Sequence, residues 1–196
     1  NPFQLLEGIM IAAYAAKANV AYNYLRGEFW QVAKFQDECI AELRAQGFLG
    51  KNLFGTNYSL DVFTHLGAGA YICGEESALL ESLEGKLGQP RLKPPFPADK
   101  GLYGMPTVVN NTETLTNVPM IITKGAEWYK SIGVPNSAGT KVMCVSGHVN
   151  KPGNYEFAFG LTLRQLIYDH CGGVPSGKKV KAVMLSGASS VVLSGS

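Results

Sequence analysis

The chain has 196 residues, 46% of them apolar, which suits one large domain or two small ones with a buried core. Lysine and arginine number 17 against 15 acids, a formal net charge of +2, and no segment concentrates the excess, which argues against nucleic acid as a partner. Asn1-Pro2-Phe3 opens no basic region followed by an apolar core, and the longest apolar stretch, Gly8 to Ala16, falls short of the ~20 residues a membrane helix needs, so neither a signal peptide nor a membrane span is expected.

Leu5, Leu6, Ile9, Ala12, Ala13 and Ala16 recur at helical spacing behind Pro2, which predicts a helix over 3–17. Val20 to Leu25, aromatic and branched, reads as a strand ended by Arg26-Gly27-Glu28. A second helix follows from about Phe29 to Gln46, closed by Gly47, and a second strand spans Asn57 to Leu66. Helix, strand, helix, strand is the alternation of an α/β layer with a largely parallel sheet.

Residues 67–107 then turn rich in glycine and proline around one short helical stretch, Glu75 to Glu84; ordered loops of such length in compact domains are usually functional. From Asn111 a helix is expected to about Ile132, with Pro119 near its first turns, and Val134 to Gly139 reads as a linker. Beyond it lie a strand (141–149), the Pro152-Gly153 turn, a short strand (154–157), a helix (161–171) and a third strand (179–185), which together form a small α+β module. The expected division is therefore 1–134 and 140–196. The chain opens on a helical pattern and stops just after an apolar run that reads as an unfinished strand, so both ends are expected to be cuts in a longer protein.

Cys39, Cys73, Cys144 and Cys171 lie far apart and form no C-x-x-C pair, and His65, His148 and His170 are equally scattered; buried thiols and packed or surface imidazoles are expected rather than a metal site. No Ser/His/Asp spacing and no Walker-type phosphate loop is present, which removes the usual signs of hydrolases and kinases.

Three segments carry chemistry. Gly67-Ala68-Gly69-Ala70-Tyr71-Ile72-Cys73-Gly74-Glu75-Glu76-Ser77 lies where a strand gives way to a helix, the place at which open α/β sheets bind ligands, and its glycines let backbone approach a flat ring or a phosphate. Glu75 and Glu76 there either serve the helix dipole or accept hydrogen bonds from ribose hydroxyls or a carboxamide. In Lys93-Pro94-Pro95-Phe96-Pro97, three prolines are expected to hold the backbone extended and present a ring, which either fills a gap in the core or stacks on a purine. In Thr107-Val108-Val109-Asn110-Asn111-Thr112-Glu113-Thr114, an asparagine either caps a helix or joins backbone N–H groups against a phosphate or polyol.

These segments, together with Arg26-Gly27-Glu28, Gly50-Lys51-Asn52, Glu84-Gly85-Lys86, Pro90-Arg91-Leu92, Glu127-Trp128-Tyr129 and Ser146-Gly147-His148-Val149, resemble the flavoprotein subunit that admits NADH electrons to respiratory complex I, the NADH:quinone oxidoreductase, over essentially the whole chain. The resemblance implies part of a Rossmann-like FMN-binding domain followed by a soluble ligand-binding β-grasp domain. It also implies that NADH stacks on FMN and passes it a hydride, and that electrons leave singly through iron-sulfur clusters. It places Gly67, Gly69, Tyr71, Gly74, Glu75 and Glu76 at the flavin and nicotinamide, Phe96 beside the adenine, and Asn110, Asn111 and Thr114 at the ribityl phosphate, with no general acid or base. Other complex I subunits are the implied partners, especially a small thioredoxin-like [2Fe-2S] subunit, and membrane association is implied only through the complex, at the cytoplasmic or matrix face.

The family's upstream glycine-rich flavin loop and its downstream helical domain with a [4Fe-4S] cluster are not in this sequence, so the fragment alone is expected to be inactive. Met105 stands where relatives often carry Cys or Gln. The same motifs occur in diaphorase subunits of NAD-linked hydrogenases and formate dehydrogenases, and residues 140–196 by themselves would also suit a non-redox binding module.

Overall fold

The computed structural model describes residues 1–187 and 190–195, in two compact units that divide between Thr123 and Lys124. In the first unit Pro2 sits in the opening turn of α1 (Pro2–Ala16), where its missing N–H has no helical partner to lose. The chain then builds β1 (Val20–Leu25), α2 (Trp30–Ala45) and β2 (Asp61–Leu66). The two strands pair in parallel, Val20 opposite Asp61 through Leu25 opposite Leu66, so α2 is the crossover of a β-α-β unit, in agreement with the parallel layer predicted from the alternation.

Leu6 and Ile9 of α1, Cys39 and Ile40 of α2, and Leu60 and Val62 on the strand side close over one another with Leu49 and Leu53. Burying each such Leu, Ile or Val stabilises the fold by roughly 1.5–3 kcal/mol before entropy is counted. The second strand is shorter than predicted. Leu60 forms an isolated antiparallel bridge with Gly50, the Leu53 amide donates to the Tyr58 carbonyl at 2.7 Å, and the Tyr58 hydroxyl donates to the Ala18 carbonyl at 2.7 Å. The residues before Asp61 are thus engaged in closing their own loop.

Three further helices complete the unit: α3 (Glu76–Leu83), the single turn α4 (Pro97–Lys100) and α5 (Thr112–Lys124). The helix expected to run on to Ile132 breaks at Gly125, whose φ of 88° leaves the helical region, and resumes as α6 (Ala126–Lys130) in the second unit. Pro119 lies in the middle of α5 rather than in its first turns. Having no N–H, it leaves the Leu115 carbonyl without its intrahelical donor. Gly8 of α1 packs on that carbonyl so tightly that a Cβ there would lie 2.0 Å from the Leu115 oxygen. Beside it, Gln4 Nε2 donates to the Thr116 carbonyl at 2.7 Å. The glycine and the proline therefore set one crossing, backbone against backbone.

In the second unit, β3 (Gly133–Val134) and β4 (Ser137–Ala138) form a tight antiparallel hairpin with Asn136 at φ 66°, where a linker was expected. Two-residue strands carry no periodicity from which to read them. β5 (Thr140–Val145) pairs antiparallel with β6 (Gly153–Ala158). The helix that follows is α7 (Leu163–Gln165), opened by a Thr162/Gln165 capping box and continued by a wider helical turn over Leu166–His170. Leu166, Ile167 and Cys171 are its buried residues. β7 (Ala182–Met184) is the predicted third strand, shortened, and the closing apolar run supplies its antiparallel partner β8 (Val192–Ser194). Among the described residues no helix is long and apolar enough to cross a membrane.

The α1–α5 crossing makes a testable statement about sign. On an isolated helix Gly→Ala gains about 1 kcal/mol, but at Gly8 the new methyl meets a backbone oxygen that cannot swing aside. Gly8→Ala in the complete protein is expected to cost about 1–3 kcal/mol, seen as a lower denaturation midpoint in urea; a higher midpoint would refute the close contact.

Candidate functional site

Because β1 and β2 are parallel and end together at Leu25 and Leu66, the segments that leave them emerge side by side. The Gly67 amide donates to the Leu25 carbonyl at 2.7 Å. A Cβ on Gly27 would lie 2.5 Å from the Gly67 oxygen, and one on Gly67 would lie 2.5 Å from the Tyr24 hydroxyl, which itself is 2.9 Å from Ser82 Oγ of α3. Gly67 is thus a packing glycine that lets strand ends and helix close up. Gly69, at φ 84°, and Gly74 differ: a Cβ on either would meet nothing within 4 Å. The turn between them is thus open at both of its glycines and forms a shelf there, with Tyr71 81% exposed and Ile72 also exposed along it and Cys73 buried.

Glu75 ends this turn as the N-cap of α3. Its Oε2 accepts from the Ser77 and Ala78 amides, both at 2.9 Å, and from Ser77 Oγ at 2.5 Å, while Oε1 receives Lys93 Nζ at 3.0 Å. The Ser77 hydroxyl above all, then the Ala78 amide and Lys93, hold its carboxyl at about 2. Glu76, next along, gives its Oε1 to the same Lys93 at 2.6 Å and remains about two-fifths exposed. Hydrogen bonds to Glu76 and then Glu75 raise the Lys93 pKa. Lys93 is therefore the hub between the two acids.

Arg91 anchors the segment that carries Lys93. Its amide donates to Ser77 Oγ at 2.8 Å, its Nε to Glu81, one terminal nitrogen to Glu84 Oε1 at 2.7 Å and the other to the Gly101 carbonyl at 2.8 Å. Glu84, with only 6% of its side chain exposed, also takes Lys86 at 2.7 Å and the Tyr103 amide at 2.7 Å. Lys86 first, then Arg91 and the Tyr103 amide, bring its carboxyl down to about 2. The backbone beyond Arg91 bends at residues 93–95 rather than running extended as expected. Phe96 follows as a half-exposed ring at the start of α4.

At α5 the two asparagines divide their roles. Asn111 Oδ1 accepts from the Glu113 amide at 2.7 Å, the N-cap bond foreseen as one alternative, while Asn110 and Thr114 are exposed. The structure thus brings Glu75, Glu76 and Lys93 together beside the Gly69–Gly74 shelf. No hydrogen bond joins that group to Asn110, Asn111 or Thr114 among the described residues. Two clefts of about 570 and 630 Å³, the first bordered by Arg91, Leu92 and Tyr103 and the second by Tyr14, Phe48 and Phe54, contain none of the ten residues nominated from sequence. Arg91 and Lys93 were not nominated; the available signal was two cations on a proline-rich segment facing a short helix with four acids along it and at its ends.

Residues 1–120 match the sequence pattern of the Nuo51 FMN-binding domain, and residues 141–195 match that of the SLBB domain. The chain belongs to the Nuo51 FMN-binding domain family. Within that family it is 52% identical over 193 residues to the F subunit of the NADH-quinone oxidoreductase of Rickettsia bellii (strain OSU 85-389), covering 98% of this chain and 46% of that protein. It is 51% identical to an F subunit of the NADH-quinone oxidoreductase of Rhizobium meliloti (strain 1021), with the same coverage. The chain thus spans a little under half the length of these curated relatives. A crystal structure of an NAD+-reducing [NiFe]-hydrogenase in its H2-reduced state superposes with a TM-score of 0.82 at 41% identity, over 98% of this chain and 32% of that one.

The two depressed carboxyls predict an acid limb in stability. Glu84 stands at about 2 in the fold against an ordinary 4.5, so its contribution is complete above about 4.5 and is lost as pH falls toward 2. Glu75 follows the same direction. Glu84→Gln in the complete protein is expected to lower the thermal midpoint at neutral pH and to flatten its decline between pH 4.5 and 2. An unchanged slope would show that Glu84 is not ionised in the fold as described.

Proposed function

We propose that this chain is the part of an NADH-oxidising flavoprotein subunit of NADH-quinone oxidoreductase that holds the nicotinamide and much of the flavin. The observation that carries this is the open shelf at Gly69–Gly74, flanked by Tyr71 and by the Glu75–Lys93–Glu76 group, in a chain half identical to proteins named as the F subunit of that enzyme. The donor set suits FMN and NADH. Two glycines face open space where a flat ring can approach backbone, a charged group lies alongside, and exposed amides stand at the positive end of a 13-residue helix.

Bound FMN would supply hydride acceptance from NADH and release of electrons one at a time. The chain supplies position and electrostatics. Gly67 closes the strand ends, Gly69 and Gly74 leave open space at the two ends of the shelf, and Tyr71 offers an exposed ring between them. Glu75 holds the first turn of α3, and Glu76, whose side chain is tied only to Lys93 among the described residues, is the acid placed to accept a hydrogen bond from the nicotinamide carboxamide or a ribose hydroxyl. Phe96 offers the adenine a face. Asn110 and Thr114, with Asn111 capping the helix between them, present donors to the ribityl phosphate.

In the whole protein, electrons pass to a [4Fe-4S] cluster whose ligands lie outside this segment and on through partner subunits, among them a small [2Fe-2S] subunit. The subunit sits at the membrane through the complex, on its cytoplasmic or matrix side. The division into an FMN/NADH-binding part over 1–134 and a β-grasp part over 140–196 belongs to the same proposal. A diaphorase of an NAD-linked hydrogenase would use the same residues, and the hydrogenase superposition favours keeping that reading second; identity of 52% against 41% favours the quinone enzyme.

The test separates two losses. In the complete subunit, Glu76→Ala is expected to raise KM for NADH about tenfold, the equivalent of one hydrogen bond of ~1.4 kcal/mol, with flavin content unchanged. Asn110→Ala is expected to lower flavin retention on gel filtration. NADH kinetics indifferent to Glu76→Ala, in protein that keeps its FMN, would overturn the proposal.

A further inference from the structure

We propose that Arg91 is a positioning residue for NADH: it fixes the distance between the Glu75–Glu76 end of α3 and the Lys93–Phe96 turn, and with it the spacing between the nicotinamide-side acid and the adenine-side ring. This rests on the functional reading given above. The structural basis is that Arg91 ties down the turn from both of its ends.

On the helix side, the Arg91 amide donates to Ser77 Oγ at 2.8 Å, and that hydroxyl donates to the Glu75 carboxylate at 2.5 Å. Ser77 is buried, so this relay is shielded from competing water. On the far side, one guanidinium nitrogen donates to the carbonyl of Gly101, the residue that follows α4, at 2.8 Å. Between these two anchors lie Lys93, bridging Glu75 and Glu76, and Phe96. The remaining donors hold Glu81 and Glu84 on the opposite end of α3, and Glu84 also takes the Tyr103 amide at 2.7 Å. The amide of Arg91 thus fastens one segment to this eight-residue helix, and its guanidinium fastens the other.

The chemistry requires arginine. Three acceptors in three directions are met by a planar fork, whereas the single ammonium of lysine supplies the charge without the fork. Glu81 and Glu84 are mostly buried, with 19% and 6% of their side chains exposed, so the network is not a solvent-screened surface pair. Arg91 touches none of the ten nominated site residues through its guanidinium. Its effect on them passes through Gly101 and through the course of the backbone from Arg91 to Lys93, while the bond to Ser77 is made by the Arg91 amide and is kept in every Arg91 variant. A shift on the order of 1 Å in such a support is worth up to about a hundredfold in rate.

The test uses the complete flavoprotein subunit within its complex, with Arg91→Lys, Arg91→Met and the isosteric Glu84→Gln, and with Glu76→Ala as a control on the site itself. FMN content, thermal midpoint, and KM and kcat for NADH with an artificial electron acceptor are measured for each. Arg91→Lys is expected to raise KM for NADH about tenfold while FMN content and kcat stay near wild type, Arg91→Met to raise it further, and Glu84→Gln to move it in the same direction. Wild-type KM in Arg91→Lys, with Glu76→Ala still raising KM, would overturn the positioning role and leave the site standing. Wild-type KM in both would sink the site reading itself. Loss of FMN or of thermal stability in Arg91→Lys in step with KM would make Arg91 a purely structural residue and also overturn the proposal; should Arg91→Met fail to fold, Arg91→Lys decides, and Glu84→Gln, whose thermal midpoint is itself expected to fall, is read for the direction of KM alone.

Discussion

Parallel strands joined by a crossover helix must release their following loops from the same end of the sheet, and with Leu25 opposite Leu66 those loops start at the same height. Closeness at that point is a matter of backbone: Gly27 against the Gly67 oxygen, and Gly67 against the Tyr24 hydroxyl. Any side chain at either glycine would push the two loops apart. The Gly69–Gly74 shelf inherits its place from this contact, and α3 inherits its starting point from the shelf. The placing of Glu75, Glu76 and the turn that answers them follows from that start.

Charge then orders what the sheet cannot reach. Glu75, Glu76, Glu81 and Glu84 crowd α3, and Lys86, Arg91 and Lys93 come from the segment after it. Exposed pairs of this kind are usually worth little, but the Glu84 side chain is only 6% exposed and receives three donors, and Glu75 has both oxygens occupied. A glycine- and proline-rich segment with few apolar side chains is thereby held without a core of its own. Glu76 is the exception, tied by one flexible lysine, and so is the acid of this group most able to exchange its partner for a ligand.

Much of the scaffold was legible because it is periodic. α1, β1 and α2 fall where apolar spacing and capping signals put them. The start of β2 was not, because Tyr58 and Leu60 carry a strand-like pattern while their backbone closes a loop with Gly50 and Leu53. The break at Gly125 was hidden by the helix-like spacing of apolar residues that continues from Ile121 and Ile122 through Trp128 and Tyr129 to Ile132, and the 133–138 hairpin is too short to have a pattern. At the site, the glycine turn and its two acids stood out because they join a strand to a helix. Arg91 and Lys93 did not, since which cation answers which acid across 7 to 18 residues is decided by tertiary packing. The choice between Asn110 and Asn111 as cap was a one-residue register that only the backbone resolves.

The location proposed for NADH rests on membership in the Nuo51 FMN-binding domain family and on the geometry at the strand ends. Hydrogen–deuterium exchange of the complete subunit, with and without NADH, tests that location most directly. The account predicts slowed exchange at the amides of Gly69 to Ala78 and around Lys93 and Phe96, with the loop of residues 47–60 unchanged. Protection confined to that loop, or absent from the Gly69–Ala78 turn while NADH is bound, would contradict it.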